Sequence, residues 1–305
     1  MLNIPLDCTL GDNCYINDYF DRDTSEGTRD YACGDVTRDN HRGVDFALQT
    51  LQQMRDGVNV IAAAPGTVRG IRDGMPDIAN TDPNAPDLTG RECGNGVAID
   101  HGGGWSTQYC HLKQGSVTVK NGDRVRLGTV LGDVGLSGQT NYPHVHFSTF
   151  KDRKRVDPFN PDMVDTCRIG PDEGLWQKPP AYQPSGLVRI GLTGTSPKLA
   201  DIRDGLPSTP NISADADALI AWAQGYSVQE GDTIKTSIEG PNGPFWSGEA
   251  TVQRDRKFAL QFMGRKRRNT LWTTGAYTAT MTLMRDGQAI ETDVVTTQVV
   301  APTAQ

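Results

Sequence analysis

The stretch NYPHVHFSTF, residues 141–150, sets two histidines one residue apart inside a run of alternating apolar and polar side chains. A period of two marks a β-strand, and on a strand the side chains at i and i+2 leave by the same face. His144 and His146 therefore look at one neighbour. The chain has only 5 histidines in 305 residues, so a strand face that holds two of them is a candidate site.

Upstream, NHRGVDFAL at 40–48 separates His41 from Asp45 by three residues, with Gly43 expected to permit a sharp local turn. With the strand pair, this supplies imidazole nitrogens and one carboxylate. Zinc held by three such ligands, with a fourth position left for water, is the usual catalytic arrangement. If His146 is a ligand, His144 stands one step along the same face, placed to take a proton from the water without ligating. His111 ends STQYCHL at 106–112, read as the returning strand of a hairpin, and can approach from the opposite wall. It would donate a hydrogen bond to a tetrahedral oxyanion, worth about 3 kcal/mol, or deliver a proton to the leaving amine. His101, in AIDHGGG, reads as a hairpin-end imidazole bonded to backbone and stays outside the site.

The formal charge of −7 and a pI near 5.2 leave no basic excess for binding phosphate, which excludes nucleic acid as the main partner. No apolar stretch is long enough for a transmembrane segment. The opening MLNIPLDCTLGDNC lacks the basic and apolar regions of a signal peptide, which by itself favours the cytoplasm. The 6 cysteines point the other way: they form an even set without a C-x-x-C pair, as disulfides in an oxidising compartment do. We therefore expect an exported protein, periplasmic or secreted, with its signal removed ahead of Met1. Six cysteines leave many pairings open. Cys93 and Cys110 flank a predicted hairpin, Cys8 and Cys14 can close a short loop, and Cys33 then remains for Cys167.

Short β-rich runs from about 41 to 150, among them GVDFAL, GVAIDH and HVHFSTF, predict a mostly antiparallel sheet. Residues 1–34 read as an irregular segment pinned by disulfides, with little core. Residues 75–92, rich in Pro, Asp and Asn, read as a long surface loop. The Pro and Gly density of GPDEGLWQKPPAYQPSG predicts a linker over 170–186, between a domain at 35–169 and another at 187–305. In the second, GAYTATMTLMRDGQAIETDVVTTQVV at 275–300 is a clear hairpin turned at RDGQ. Several short strands there suggest an immunoglobulin-like β-sandwich, so the whole chain reads as all-β. Its basic run GRKRR, 264–268, reads as a solvated loop, and Trp222, Trp246 and Trp272 as core.

HRGVD, GNGVAIDHGGGWSTQYCHL and VKNGDRVRLGTVLGDVGLSGQTNYPHVHF, in this order over roughly residues 40–160, resemble the motifs of the lysostaphin/LytM-type zinc metallo-endopeptidases. The resemblance implies hydrolysis of peptide cross-links in bacterial peptidoglycan, with peptidoglycan stem peptides as the substrate. It also implies zinc held by His41, Asp45 and His146, with His111 and His144 serving catalysis. The 75–92 loop looks like an insertion, and the general pattern does not require the Cys93 and Cys110 pair. The family's fold also includes members that have lost their ligands and bind or activate other wall hydrolases, so a non-catalytic or latent wall protein is the alternative. For the second domain we expect positioning or a protein partner.

Overall fold

The computed structural model describes residues 1–163, 166–167 and 174–302. Two compact units result, Met1–Pro184 and Ser185–Gln305. Residues 170–173, where the expected linker begins, lie outside the described residues.

The first unit runs β1 (Cys14–Asp18), β2 (Val44–Leu48), α1 (Leu51–Asp56), β3 (Asn59–Ile61), β4 (Gly66–Arg72), β5 (Asn95–Gly102), β6 (Trp105–Leu112), β7 (Arg124–Val125), β8 (Val130–Asp133), β9 (His144–Lys151) and β10 (Lys154–Val156). Its main sheet is ordered β1-β2-β9-β6-β5-β4-β7, with β10 added on β9, while β3 and β8 pair apart from it. Every pair is antiparallel. Val44, Phe46, Leu48, Val97, Ile99, Tyr109, Val145 and Phe147 fill one core. Because side chains alternate along each strand, the opposite face of β2 and β9 is left to Asp45, His144 and His146. The helix α1 is short but well capped: Thr50 accepts from the Gln53 backbone N–H, and the Gln53 side chain accepts from that of Thr50.

Two segments depart from the reading of the sequence. Residues 1–34 are not poor in core: Leu2, Leu6, Ile16, Tyr19 and Tyr31 are buried with the sheet residues, and residues 14–18 form its edge strand. Residues 174–184 belong to the first unit. There Trp176 is buried in the same core, and the Tyr182 hydroxyl donates to Asp30 at 2.8 Å. Leu2 and Leu175 are joined by a backbone hydrogen bond of 2.7 Å. Neither segment has a helical or strand period, so burial of its scattered apolar side chains becomes visible only after they meet a sheet built elsewhere in the chain.

All six cysteines are paired, as Cys8–Cys14, Cys33–Cys167 and Cys93–Cys110. The hairpin of β5 and β6 brings Cys93 and Cys110 together, as its flanks suggested.

The second unit comprises β11 (Gly186–Thr193), α2 (Leu199–Asp204), β12 (Ile212–Ser213), β13 (Ala218–Val228), β14 (Thr233–Gly240), β15 (Gly243–Thr251), β16 (Arg256–Lys266), β17 (Gly275–Arg285) and β18 (Gln288–Val300). A sheet ordered β11-β13-β16 and another ordered β12-β18-β17-β14-β15 share one core. Tyr277, Ala279, Met281 and Leu283 of β17 point into it. The β17–β18 turn has positive φ at Asp286 and Gly287, the geometry that suits a tight hairpin. Trp222 is fully buried, and Trp246 and Trp272 pack against the core. Arg265 and Lys266 end a strand where a loop was expected, and the backbone N–H of Arg267 donates to Asp217.

Candidate metal centre

Register assembles the site. Asp45 on β2 lies opposite His146 on β9, and His146 lies opposite Cys110 on β6. His41 arrives from the turn ahead of β2, where Asn40 takes the left-handed φ of 60° that Asn tolerates. Gly43 does not make that turn, since its φ lies outside the left-handed region. Instead it makes room: a Cβ there would stand 2.6 Å from the His146 ring and 2.7 Å from the Phe147 carbonyl.

His41, Asp45 and His146 offer ligand atoms that all lie within 4.8 Å of one another. The Nδ1–H of His41 donates to the Tyr19 carbonyl at 2.7 Å, which leaves Nε2 as a lone pair. That Nε2 is 3.0 Å from Asp45 Oδ1 and 3.1 Å from His146 Nδ1. On His146 the other nitrogen, Nε2, is 3.0 Å from the Ser148 hydroxyl, which itself donates to the Arg42 carbonyl at 3.0 Å. Ser148 therefore accepts, His146 carries its proton on Nε2, and Nδ1 is the lone pair 2.8 Å from Asp45 Oδ1. Two bare nitrogens and a carboxylate oxygen this close have no proton to share among them. A bound cation resolves the conflict, and imidazole nitrogens with a carboxylate are a donor set that zinc accepts. The Tyr19 carbonyl and Ser148 make outer contacts of the kind that orient a histidine for metal ligation.

His144 stands beside this trio. Its Nδ1 donates to the Tyr142 carbonyl at 2.9 Å. Its Nε2 is buried without a hydrogen-bond partner among the described residues, 3.5 Å from Asp45 Oδ2. Across from it, the His111 ring centroid lies 4.7 Å from that of His144 and 6.1 Å from that of His146. The His111 Nδ1–H donates to the Ser137 carbonyl at 2.8 Å, so Nε2 is again bare. His101 stays outside, its Nδ1 donating to the Pro65 carbonyl at 2.8 Å.

Burial by itself would raise the Asp45 carboxyl, but the positive charges of His41 and His144 when protonated, and of Arg38 throughout, hold it well below the usual carboxylate range. His111 is pushed well below an ordinary imidazole, first by burial and then by His144 and His146. Burial also lowers His146, although Asp45 opposes it. Neutral imidazoles around an ionised carboxylate are what metal ligation needs.

Four contacts escaped the motifs. Ser148 shares the strand face of His146 at i+2, a spacing that could have drawn attention to it. Arg38 lies in the segment of His41 and Asp45 but in no motif, while the Tyr19 carbonyl and Asp18 carry no local signal, because they reach the site only through the pairing of β1 with β2.

Residues 39–158 match the model of peptidase family M23. The cell division protein DipM of Caulobacter vibrioides is 36% identical over 119 residues, which is 37% of this chain and 18% of that protein. The DD-carboxypeptidase/endopeptidase Mpg of Neisseria meningitidis is 32% identical over 126 residues, 41% of this chain and 22% of that protein. The chain thus spans about a fifth of the length of these curated relatives. Among solved structures, the catalytic domain of the antimicrobial peptidase lysostaphin from Staphylococcus simulans is 25% identical, with a TM-score of 0.28, and covers 39% of this chain and 76% of that one.

Proposed function

Because residues 39–158 of this chain are a peptidase family M23 domain, we propose that it is a zinc endopeptidase acting on the peptide cross-links of bacterial peptidoglycan. The observation that carries this reading is the meeting of two bare imidazole nitrogens with one carboxylate oxygen, beside the unpartnered Nε2 of His144. His41 through Nε2, Asp45 through Oδ1 and His146 through Nδ1 would hold the ion. Zinc bound there supplies Lewis-acid polarisation of the scissile carbonyl and a water whose pKa is brought toward about 7.

His144 is the base. Its Nδ1–H is committed to the Tyr142 carbonyl, so Nε2 is available to take a proton, and the Asp45 carboxylate 3.5 Å away stabilises the resulting imidazolium. His111 presents a second bare Nε2 on the facing wall, which accepts a hydrogen bond in this tautomer. It becomes a donor only after a proton reaches it. Burial and its histidine neighbours then favour giving that proton up. Of the two roles expected for His111, delivery to the leaving amine therefore suits it better than a standing bond to an oxyanion.

The substrate assignment is supported by the relatives' names, a cell division protein and a DD-carboxypeptidase/endopeptidase. Three disulfides support an exported, periplasmic or secreted setting. No helix among the described residues is long and apolar enough to cross a membrane. We read the second unit as an immunoglobulin-like module that positions the enzyme or binds a protein partner, on the strength of its two facing sheets and the short β12 running parallel to β18.

Purified sacculi incubated with the zinc-loaded protein should release muropeptides, read by mass, and a chelator should stop the release. Zinc uptake with no release under any condition would refute the enzyme and favour the latent wall protein.

A further inference from the structure

Arg38 lies one residue ahead of the M23 match, and its guanidinium joins two buried carboxylates. Nη1 donates to Asp18 Oδ2 at 2.7 Å and to Asp45 Oδ2 at 2.9 Å. The two aspartates sit opposite each other on β1 and β2, their side chains 2% and 1% exposed, whereas that of Arg38 is 52% exposed. Asp18 Oδ2 also accepts from the Asn17 side chain at 2.8 Å. Two neighbouring buried anions repel unless a cation lies between them, and a guanidinium can serve both.

The consequence falls on Asp45. Its Oδ2 is taken by Arg38, while Oδ1 faces His41 and His146. A carboxylate held by one oxygen cannot rotate to offer both. We propose that Asp18 and Arg38 are positioning residues that present Asp45 to the metal through Oδ1 alone, which makes the segment before residue 39 an integral part of the metal centre. The Tyr19 carbonyl, next to Asp18, orients His41 from the same segment. The inference rests on reading His41, Asp45 and His146 as metal ligands, and needs no assumption about the substrate.

The test measures zinc affinity of the full chain by competition with a chromophoric chelator, together with the visible spectrum of the cobalt-substituted protein. Arg38→Met should weaken zinc binding about 10- to 100-fold, the range found when outer-shell partners are lost. It should also change the cobalt bands, because Asp45 is then free to bind through both oxygens. Arg38→Lys keeps the charge and should recover part of the affinity. Asp18→Asn should weaken binding less than Arg38→Met, and the double variant should be no worse than Arg38→Met, since the two act through one contact. If Arg38→Met fails to fold, Arg38→Lys and Asp18→Asn carry the same comparison. Wild-type zinc affinity and an unchanged cobalt spectrum in the variants would overturn the proposal while leaving the ligand assignment standing. A wild-type protein that takes up no zinc would overturn both, and one that binds zinc yet leaves sacculi uncut would count only against the enzymatic reading.

Discussion

Gly43 and His146 are in such close approach that any side chain at 43 would enter the space of the imidazole, with a Cβ 2.6 Å from its ring. The Phe147 carbonyl, 2.7 Å from the same Cβ position, crowds it further. Gly43→Ala should therefore displace His146 while the sheet stays formed. We expect zinc affinity to fall at least about tenfold, with far-UV circular dichroism unchanged. Wild-type affinity in this variant would show that the ring has room to shift without losing its place.

His144 and His146 share a strand face yet turn different nitrogens inward, Nε2 for His144 and Nδ1 for His146. The difference separates their expected phenotypes. His146→Ala should lose metal, seen by elemental analysis after dialysis. His144→Ala and His111→Ala should retain it while turnover on muropeptides drops by about 100-fold or more, the usual weight of a general acid or base.

Asp157 is buried, with Oδ1 accepting from the Phe159 backbone N–H at 2.9 Å and Oδ2 without a hydrogen-bond partner among the described residues. Burial, with Asp30 adding to it, pushes its carboxyl from an ordinary 3.8 up to about 7. A carboxyl raised on folding binds its proton more tightly in the native chain. Its contribution is therefore fully present below about pH 3.8 and is lost as pH rises through about 7. Asp157→Asn removes this loss. Thermal or urea unfolding should show the variant more stable than wild type at pH 8, by on the order of 2–4 kcal/mol, and little different at pH 4.

The Cys93–Cys110 bridge lies beside the site, because the Cys93 carbonyl accepts from the His111 backbone N–H at 2.8 Å. Replacing both cysteines by serine should cost about 2–4 kcal/mol of stability, read from the urea midpoint. Turnover should fall more than zinc affinity, since the loosened residue is His111 and not a ligand. An equal loss of both would mean that the bridge supports the sheet as a whole.

Patterns that depend on near neighbours were legible in the sequence. Alternation marked strands in GVDFAL, GVAIDH, STQYCHL and HVHFSTF, which form at 44–48, 95–102, 105–112 and 144–151, and the glycine-rich hairpin paired Cys93 with Cys110. The spacings H-x-x-x-D and H-x-H singled out the three side chains that converge. Each of these follows from strand period or turn chemistry within a few residues, which one chain segment carries by itself. Tertiary structure alone decided the rest. The bare nitrogens of His41 and His111 are set by the Tyr19 and Ser137 carbonyls, which distant segments bring in, and His41 meets His146 across 105 positions. The Asp18–Arg38–Asp45 contact arises from the register of β1 against β2, and the burial of Leu2, Tyr31 and Trp176 from a core that exists only when the sheet is complete. Hydrogen-bond partners and burial are properties of position in space, and an aperiodic segment records neither in its order of residues.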